Sequence, residues 1–99
     1  MARVAIVGKA ENVQPLIGII SRADQSASSF DSAKTLFESP DFQQGKVARI
    51  VISFDVPDGD LNQILEAAAT RDPVVPVTVI NPASDAQRKA LYKVLKGGS

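Results

Sequence analysis

The chain has 99 residues, with eleven basic and eleven acidic side chains and neither cysteine nor histidine. This is the length of one domain, and we expect residues 1–99 to form a single one. The absence of cysteine and histidine excludes disulfides, thiolate nucleophiles, imidazole bases and the usual zinc sites. The zero net charge disfavours nucleic acid and anionic membranes as partners, and no apolar run suits a signal segment or a membrane span. These features predict a cytoplasmic protein that meets proteins or small molecules.

Apolar runs alternate with helix-period segments, which is typical of βα units and a parallel sheet. RVAIV at residues 3–7 predicts a first strand that Gly8 ends. The apolar residues that follow have the i, i+3, i+4, i+7 spacing of one helix face: Val13, Leu16, Ile17 and Ile20. Asn12 is the predicted N-cap of this helix, and Pro15 is expected in its first turn.

A second unit is predicted with a weaker strand. SASSF at residues 26–30 is that strand, and Asp31 or Ser32 is placed to cap a short helix. The segment ESPDFQQGK, residues 38–46, is expected to be a loop because proline and glycine interrupt it.

The third and fourth units have the clearest patterns. ARIVISF, residues 48–54, predicts the central strand, after which Asp60 and Gln63 match a capping box at the start of a helix. VVPVTVI, residues 74–80, predicts the fourth strand, with Pro76 near its start. Ser84 and Gln87 form a second capping-box pattern that opens a helix over 84–96. The sequence therefore predicts an α/β fold: an open parallel sheet of about four β/α units in three layers.

The order and spacing of these elements resemble the receiver domain of two-component response regulators, which has a CheY-like, flavodoxin-like fold. The most specific part is ISFDVPDGDL, residues 52–61, where Pro57 and Asp60 fit the loop that follows the family's phosphoacceptor aspartate. By this resemblance Ser53 occupies the acceptor position. Asn81 stands at the hydroxyl position after strand four, and Gly8 and Lys9 replace the acidic pair that holds magnesium.

These substitutions remove what phosphoryl transfer to a carboxylate needs, namely the carboxylate and the oxygen ligands of a divalent cation. The resemblance thus implies a degenerate pseudo-receiver without a metal or another cofactor. Two interpretations of Lys9 stay open: an ion pair with Asp55 or Asp58 that replaces the cation, or a solvated side chain.

The acids of the same loop also have two interpretations. Asp55, Asp58 and Asp60 have a spacing that can hold calcium or magnesium. A cap at Asp60 and turn residues at the other two positions explain all three acids, and we favour this explanation. A displaced phosphoacceptor at Asp55 is a minor alternative.

The family's fifth strand and fifth helix have no counterpart here. Either a longer protein was cut near Gly97, or the apolar strand 74–80 is a sheet edge that pairs with another chain. By resemblance, we expect the contact surface on this strand and the last helix, at Val77, Val79, Arg88, Leu91, Tyr92 and Leu95. The cations Arg88, Lys89, Lys93 and Lys96 form a basic side of that helix, which is usually a solvated face and in a minority of cases binds an acidic partner.

Our main hypothesis is a non-catalytic module for phosphorylation-independent protein interaction in bacterial signalling, as a homodimer or with a protein partner. The alternative is a small α/β domain that binds a nucleotide or another anionic ligand at the carboxyl ends of the strands, beside Gly8, Lys9, Ser53 and Asn81. An enzyme with Ser53 as its nucleophile is disfavoured, because no histidine or other paired base is evident.

Overall fold

Four parallel strands form the sheet in the computed structural model, which describes residues 3–72 and 74–97. The spatial order is β2-β1-β3-β4, so the first and third strands are central and the other two are edges. The strands are β1 (Arg3–Val7), β2 (Ser26–Phe30), β3 (Val47–Ser53) and β4 (Val77–Ile80). This confirms the predicted open parallel sheet of the flavodoxin-like type. Membership of the receiver family stays a prediction.

Helices cover both faces of the sheet. They are α1 (Ala10–Arg22), α2 (Ala33–Glu38), α3 (Pro40–Gln43), α4 (Asp58–Ala69) and α5 (Asp85–Gly97). On one face, α1 and α5 pack together over Val4, Ile6 and Val51. On the other face, α2, α3 and α4 enclose Ala5, Ile50 and Ile52. Residues 4–7 of β1 and 50–52 of β3 are buried on both faces of the sheet, which explains why these runs are apolar without alternation.

The last helix packs against the first helix. Leu91 and Leu95 of α5 belong to the same buried cluster as Leu16 and Ile20 of α1. The α1 face is therefore covered by the final helix of the chain. The edge strand β4 is less well covered, since its Val79 is 51% exposed.

The first helix and the segment at 38–46 differ from what the sequence predicts. Helix α1 begins earlier than expected, since its N-cap is Lys9 and not Asn12, and Pro15 consequently lies in its second turn. The predicted loop at residues 38–46 contains the one-turn helix α3, which Pro40 starts. Proline suits this first helical position because the N–H it lacks would have no partner there.

The fourth strand is shorter than the predicted segment 74–80. It begins at Val77, immediately after Pro76, and spans four residues. Proline cannot donate to the strand ladder, so the preceding residues do not extend the pairing. The Pro76 carbonyl nevertheless accepts a hydrogen bond from the Ile50 N–H at 2.9 Å.

No helix within residues 3–72 and 74–97 has both the length and the apolar character that a membrane crossing requires.

Candidate functional site

The ends of β1 and β3 lie in direct contact at Gly8. A Cβ atom placed on Gly8 would lie 2.6 Å from the Ser53 Cβ, which is shorter than real Cβ contacts. The Gly8 N–H donates to the Phe30 carbonyl at 2.9 Å, which fixes the turn beside β2 as well. Glycine is therefore required here by the close approach of two strand ends.

Ser53 is the last residue of β3, and its side chain points into this contact. The residue is 1% exposed, and its Oγ donates a hydrogen bond to Asp55 Oδ1. The chain turns back directly after the strand, since the Val56 N–H donates to the Ser53 carbonyl at 3.1 Å. The hydroxyl at the predicted acceptor position is thus buried and already engaged.

Asp55 connects the β3 end to the start of α1. Its Oδ1 also accepts from Asn12 Nδ2 at 2.8 Å, and its Oδ2 accepts from the Lys9 backbone N–H at 3.1 Å. We call the four residues Lys9, Asn12, Ser53 and Asp55 the Asp55 latch. The latch joins segments that are more than forty residues apart in the sequence.

The latch affects the proton affinity of the carboxyl group. Partial burial acts to raise the pKa of Asp55, but hydrogen bonds from Ser53, Asn12 and the Lys9 N–H outweigh it and lower the pKa below its ordinary value. Hydrogen bonds to the charged form stabilise a carboxylate. Asp55 is therefore held as an anion whose acceptor atoms are occupied.

The contact made by Lys9 differs from the predicted ion pair. Its backbone N–H, and not its ammonium group, reaches Asp55. Among the described residues, the ion pairs do not include Lys9, whose side chain is exposed. The solvated interpretation of this lysine is the one that agrees with the geometry.

The three loop acids have three different environments. Asp55 belongs to the latch, whereas Asp58 is exposed in the first turn of α4. Asp60 Oδ2 accepts from the Ala33 N–H at 3.2 Å, so it caps α2 instead of its own helix, whose N-cap is Pro57. The predicted capping box at Asp60 is wrong. Within the described ranges, no three His, Cys, Asp or Glu side chains come together as a metal site.

Asn81 lies in a local turn after β4. Its Oδ1 accepts from the Ala83 N–H at 3.0 Å, and its own N–H donates to Gln87 Oε1 at 2.6 Å. Ser84 Oγ accepts from the Gln87 N–H at 3.3 Å, which is half of the predicted capping box. Asn81 therefore contributes hydrogen bonds to the start of α5, and these two hydrogen bonds do not involve the latch.

A pocket of about 310 Å³ lies beside the latch, between the ends of β1 and β2. It is lined by Gly8, Ala10, Val13, Ser29, Phe30, Asp31 and Thr35. Thr35 Oγ1 donates to Asp31 Oδ1 at 3.1 Å, so the polar groups here include a carboxylate but, among these lining residues, no cation. This composition does not favour the anionic ligand of the alternative hypothesis.

The predicted interaction surface separates into buried residues and two distinct exposed regions. Leu91 and Leu95 are 2% and 6% exposed in the core, so they cannot form a contact surface, which corrects that part of the prediction. Val77 and Val79 lie on the β4 edge. A pocket of about 290 Å³ lies beside this edge, and its lining includes Val79 of β4 and Val94 of α5.

The other region is the groove between α1 and α5, which holds Arg88 and Tyr92. Its volume is about 700 Å³, and it is lined by Ile19, Arg22, Asp85, Arg88, Lys89, Tyr92 and Lys93. We call it the α1–α5 groove. It faces a different direction from the β4 edge, because different sides of α5 line the two regions.

No protein-family model, curated protein or solved structure matches this chain. The function is therefore inferred from the residues and their geometry.

The sequence did not reveal the roles of Asn12 and Arg22. Asn12 has the residue type of a helix cap, and its partner Asp55 lies 43 residues away. Arg22 joins the basic groove only because α5 packs on the α1 face. The sequence signals for this groove were the basic spacing along the last helix and the contact surface expected by resemblance at Arg88 and Tyr92.

Proposed function

We propose that this chain is a non-catalytic, receiver-like module that binds proteins in cytoplasmic bacterial signalling, independently of phosphorylation. The observation that carries this proposal is the Asp55 latch. It occupies the strand end where the resemblance to receivers puts the acceptor, and it ties that strand end to α1.

The latch disfavours chemistry for two physical reasons. A serine nucleophile needs a base and access to its substrate, whereas the Ser53 hydroxyl is buried and donates to a carboxylate of lowered pKa. Magnesium-assisted phosphoryl transfer needs several oxygen ligands at one place, whereas among the described residues Asp55, Asp58 and Asp60 do not gather into a group that could hold a metal ion. This arrangement supports a structural role, in which hydrogen bonds hold the end of β3 against the start of α1.

The β4 edge supports the interaction role. Val79 on β4 and Val74 shortly before it are exposed apolar side chains, and no charged residue lies between Val74 and Ile80. Exposed apolar strand edges pair readily with another strand. The proposed contact is therefore strand addition at β4, with a second copy of the chain or with a protein partner.

Intact-mass measurement tests the absence of phosphoryl transfer. The protein is incubated with magnesium and acetyl phosphate, in parallel with the Asp55→Asn variant. We expect the masses of both proteins to stay unchanged. A gain of one phosphoryl group in the wild type that is lost in Asp55→Asn would identify Asp55 as an acceptor and refute the proposal.

A further inference from the structure

The α1–α5 groove concentrates positive charge in a chain whose net charge is zero. Arg22, Arg88, Lys89 and Lys93 line it together with a single carboxylate, Asp85. Because basic and acidic side chains balance over the whole sequence, this excess is local to the groove. This local excess of positive charge attracts a ligand only at short range, because salt screens charges beyond about 8 Å at physiological ionic strength.

The cations of the groove differ in how firmly they are held. Arg88 donates to the Pro82 carbonyl at 2.7 Å and to Asp85 Oδ1 at 2.9 Å, and Lys89 lies 3.4 Å from Asp85 Oδ2. Asp85 is therefore already neutralised by two cations of its own helix. Within residues 3–72 and 74–97, Arg22 and Lys93 take part in none of the ion pairs. These two cations, one on each wall, are available to a ligand.

The groove also offers apolar contact. Ile19 lines it from α1, and Tyr92 is 38% exposed on the α5 side. Tyrosine and arginine are among the residue types that most often dominate protein-binding surfaces. A ligand with both carboxylates and an apolar side chain would use every part of this surface.

The dimensions of the groove suit a peptide segment. Asp85 and Lys93 are eight positions apart on α5, which corresponds to about 12 Å along the helix. An extended chain advances about 3.3 Å per residue, so about four residues of a peptide would fit this length.

We propose that the α1–α5 groove binds an acidic, partly apolar segment of a partner protein. This inference rests on the proposed interaction role and names the chemistry of the partner. Nucleic acid is a poorer match, because the chain has no net positive charge to attract a polyanion over a distance. A protein segment with about two carboxylates can pair with Arg22 and Lys93 and place a side chain against Tyr92.

Fluorescence anisotropy tests this proposal, with a labelled twelve-residue peptide of alternating glutamate and leucine as the probe. The groove variant is Arg22→Glu/Lys93→Glu, which breaks none of the ion pairs among the described residues. The matched control is Lys34→Glu/Lys46→Glu, which makes the same change in net charge at two exposed positions outside the groove. Circular dichroism melting curves establish that both variants fold.

We expect the wild type and the control to bind the probe alike, and the groove variant to bind at least about tenfold more weakly. Affinity should fall as salt is added, and a matching lysine–leucine peptide should not bind. Equal weakening in both variants, no binding by the wild type, or tighter binding to a DNA duplex than to the probe would overturn the proposal. The phosphorylation test does not involve this groove, so the two proposals can fail separately.

Discussion

At the scale of single residues, Gly8 is a position with little tolerance for change. We expect Gly8→Ala to lower the free energy of unfolding by about 1–3 kcal/mol, because the new methyl group overlaps Ser53 Cβ and forces the strand ends apart. Urea denaturation followed by circular dichroism measures this loss.

Gly18→Ala is the matched control for this substitution. Gly18 is exposed in α1, and nothing lies within 4 Å of a Cβ placed on it. Alanine is the better helix former, so we expect this variant to gain about 0.5–1 kcal/mol. A Gly8→Ala protein as stable as the wild type would show that the two strand ends are not in close contact.

Asp55 should contribute stability in a pH-dependent way. Asn at this position places an amide group among the donors of the latch, so we expect Asp55→Asn to lose about 1–2 kcal/mol at neutral pH. Because the folded state lowers the pKa of Asp55, this contribution is complete above its ordinary pKa of 3.8 and is lost as the pH falls through the lower folded-state pKa. The difference in unfolding free energy between wild type and variant should therefore shrink below about pH 4.

Urea denaturation at a series of pH values from neutral down into the acid range measures this difference. Asp58→Asn is the control, because Asp58 is an exposed neighbour in the same loop and does not belong to the latch. A difference that stays constant throughout the acid range, or an equal loss in Asp58→Asn, would contradict the assigned role of the Asp55 carboxylate.

The sequence predicted a buried strand that ends at Phe54, one residue beyond the observed end at Ser53, and it did not predict the carboxylate that lies beside Ser53. Strand alternation put Asp55 beyond the strand, and that is where its backbone lies. The turn from Ser53 to Val56 then returns the side chain to the β1 end. The position of the Asp55 side chain therefore depends on contacts between distant segments. The spacing of residues along the chain does not predict such contacts.

At the scale of elements, α2 depends on a cap that α4 provides. Asp60 Oδ2 accepts the N–H of Ala33, the first residue of α2, while Ser32 Oγ accepts the N–H of Thr35. We expect Asp60→Ala to lower the unfolding free energy by about 0.5–2 kcal/mol, as for the loss of other N-terminal caps. Thermal and urea denaturation measure the loss.

Asn62→Ala provides the comparison for Asp60→Ala. Asn62 is exposed on the same helix, and its replacement by alanine should change stability by less than about 0.5 kcal/mol. If Asp60→Ala is equally neutral, the contact between Asp60 and α2 does not stabilise the protein.

Periodicity predicted which segments are helices and strands better than it predicted where they begin. The apolar spacing from Val13 to Ile20 indicated α1 correctly, because that spacing is what places side chains on one buried face. The start of α4 was predicted too late, at Asp60, because this acid has the type of a cap but serves a different helix. The apolar spacing of the α5 sequence predicts that one face of this helix is buried. It does not predict which side of the sheet that face covers.

At the scale of the whole molecule, the two edges of the sheet differ in chemistry. Strand β2 is rich in serine and presents the exposed Ser29, whereas β4 presents the exposed Val79. The final helix α5 packs on the α1 face, and Val79 of the edge strand β4 stays 51% exposed. If the chain associates with itself, the β4 edge is therefore the expected place. Because β4 has only four residues, the contact should be small and concentration-dependent.

Light scattering after size exclusion, over a wide range of concentrations, tests this association. We expect the wild-type protein to approach the mass of a dimer as concentration rises, and Val79→Lys to remain a monomer. In a two-fold strand pairing, the lysines of both copies would come close together, and like charges across paired strands are destabilising. The control Ser29→Lys adds the same charge to the opposite edge and should dimerise as the wild type does. A wild-type monomer at all concentrations would exclude self-association, and a Val79→Lys dimer would place the contact elsewhere than β4.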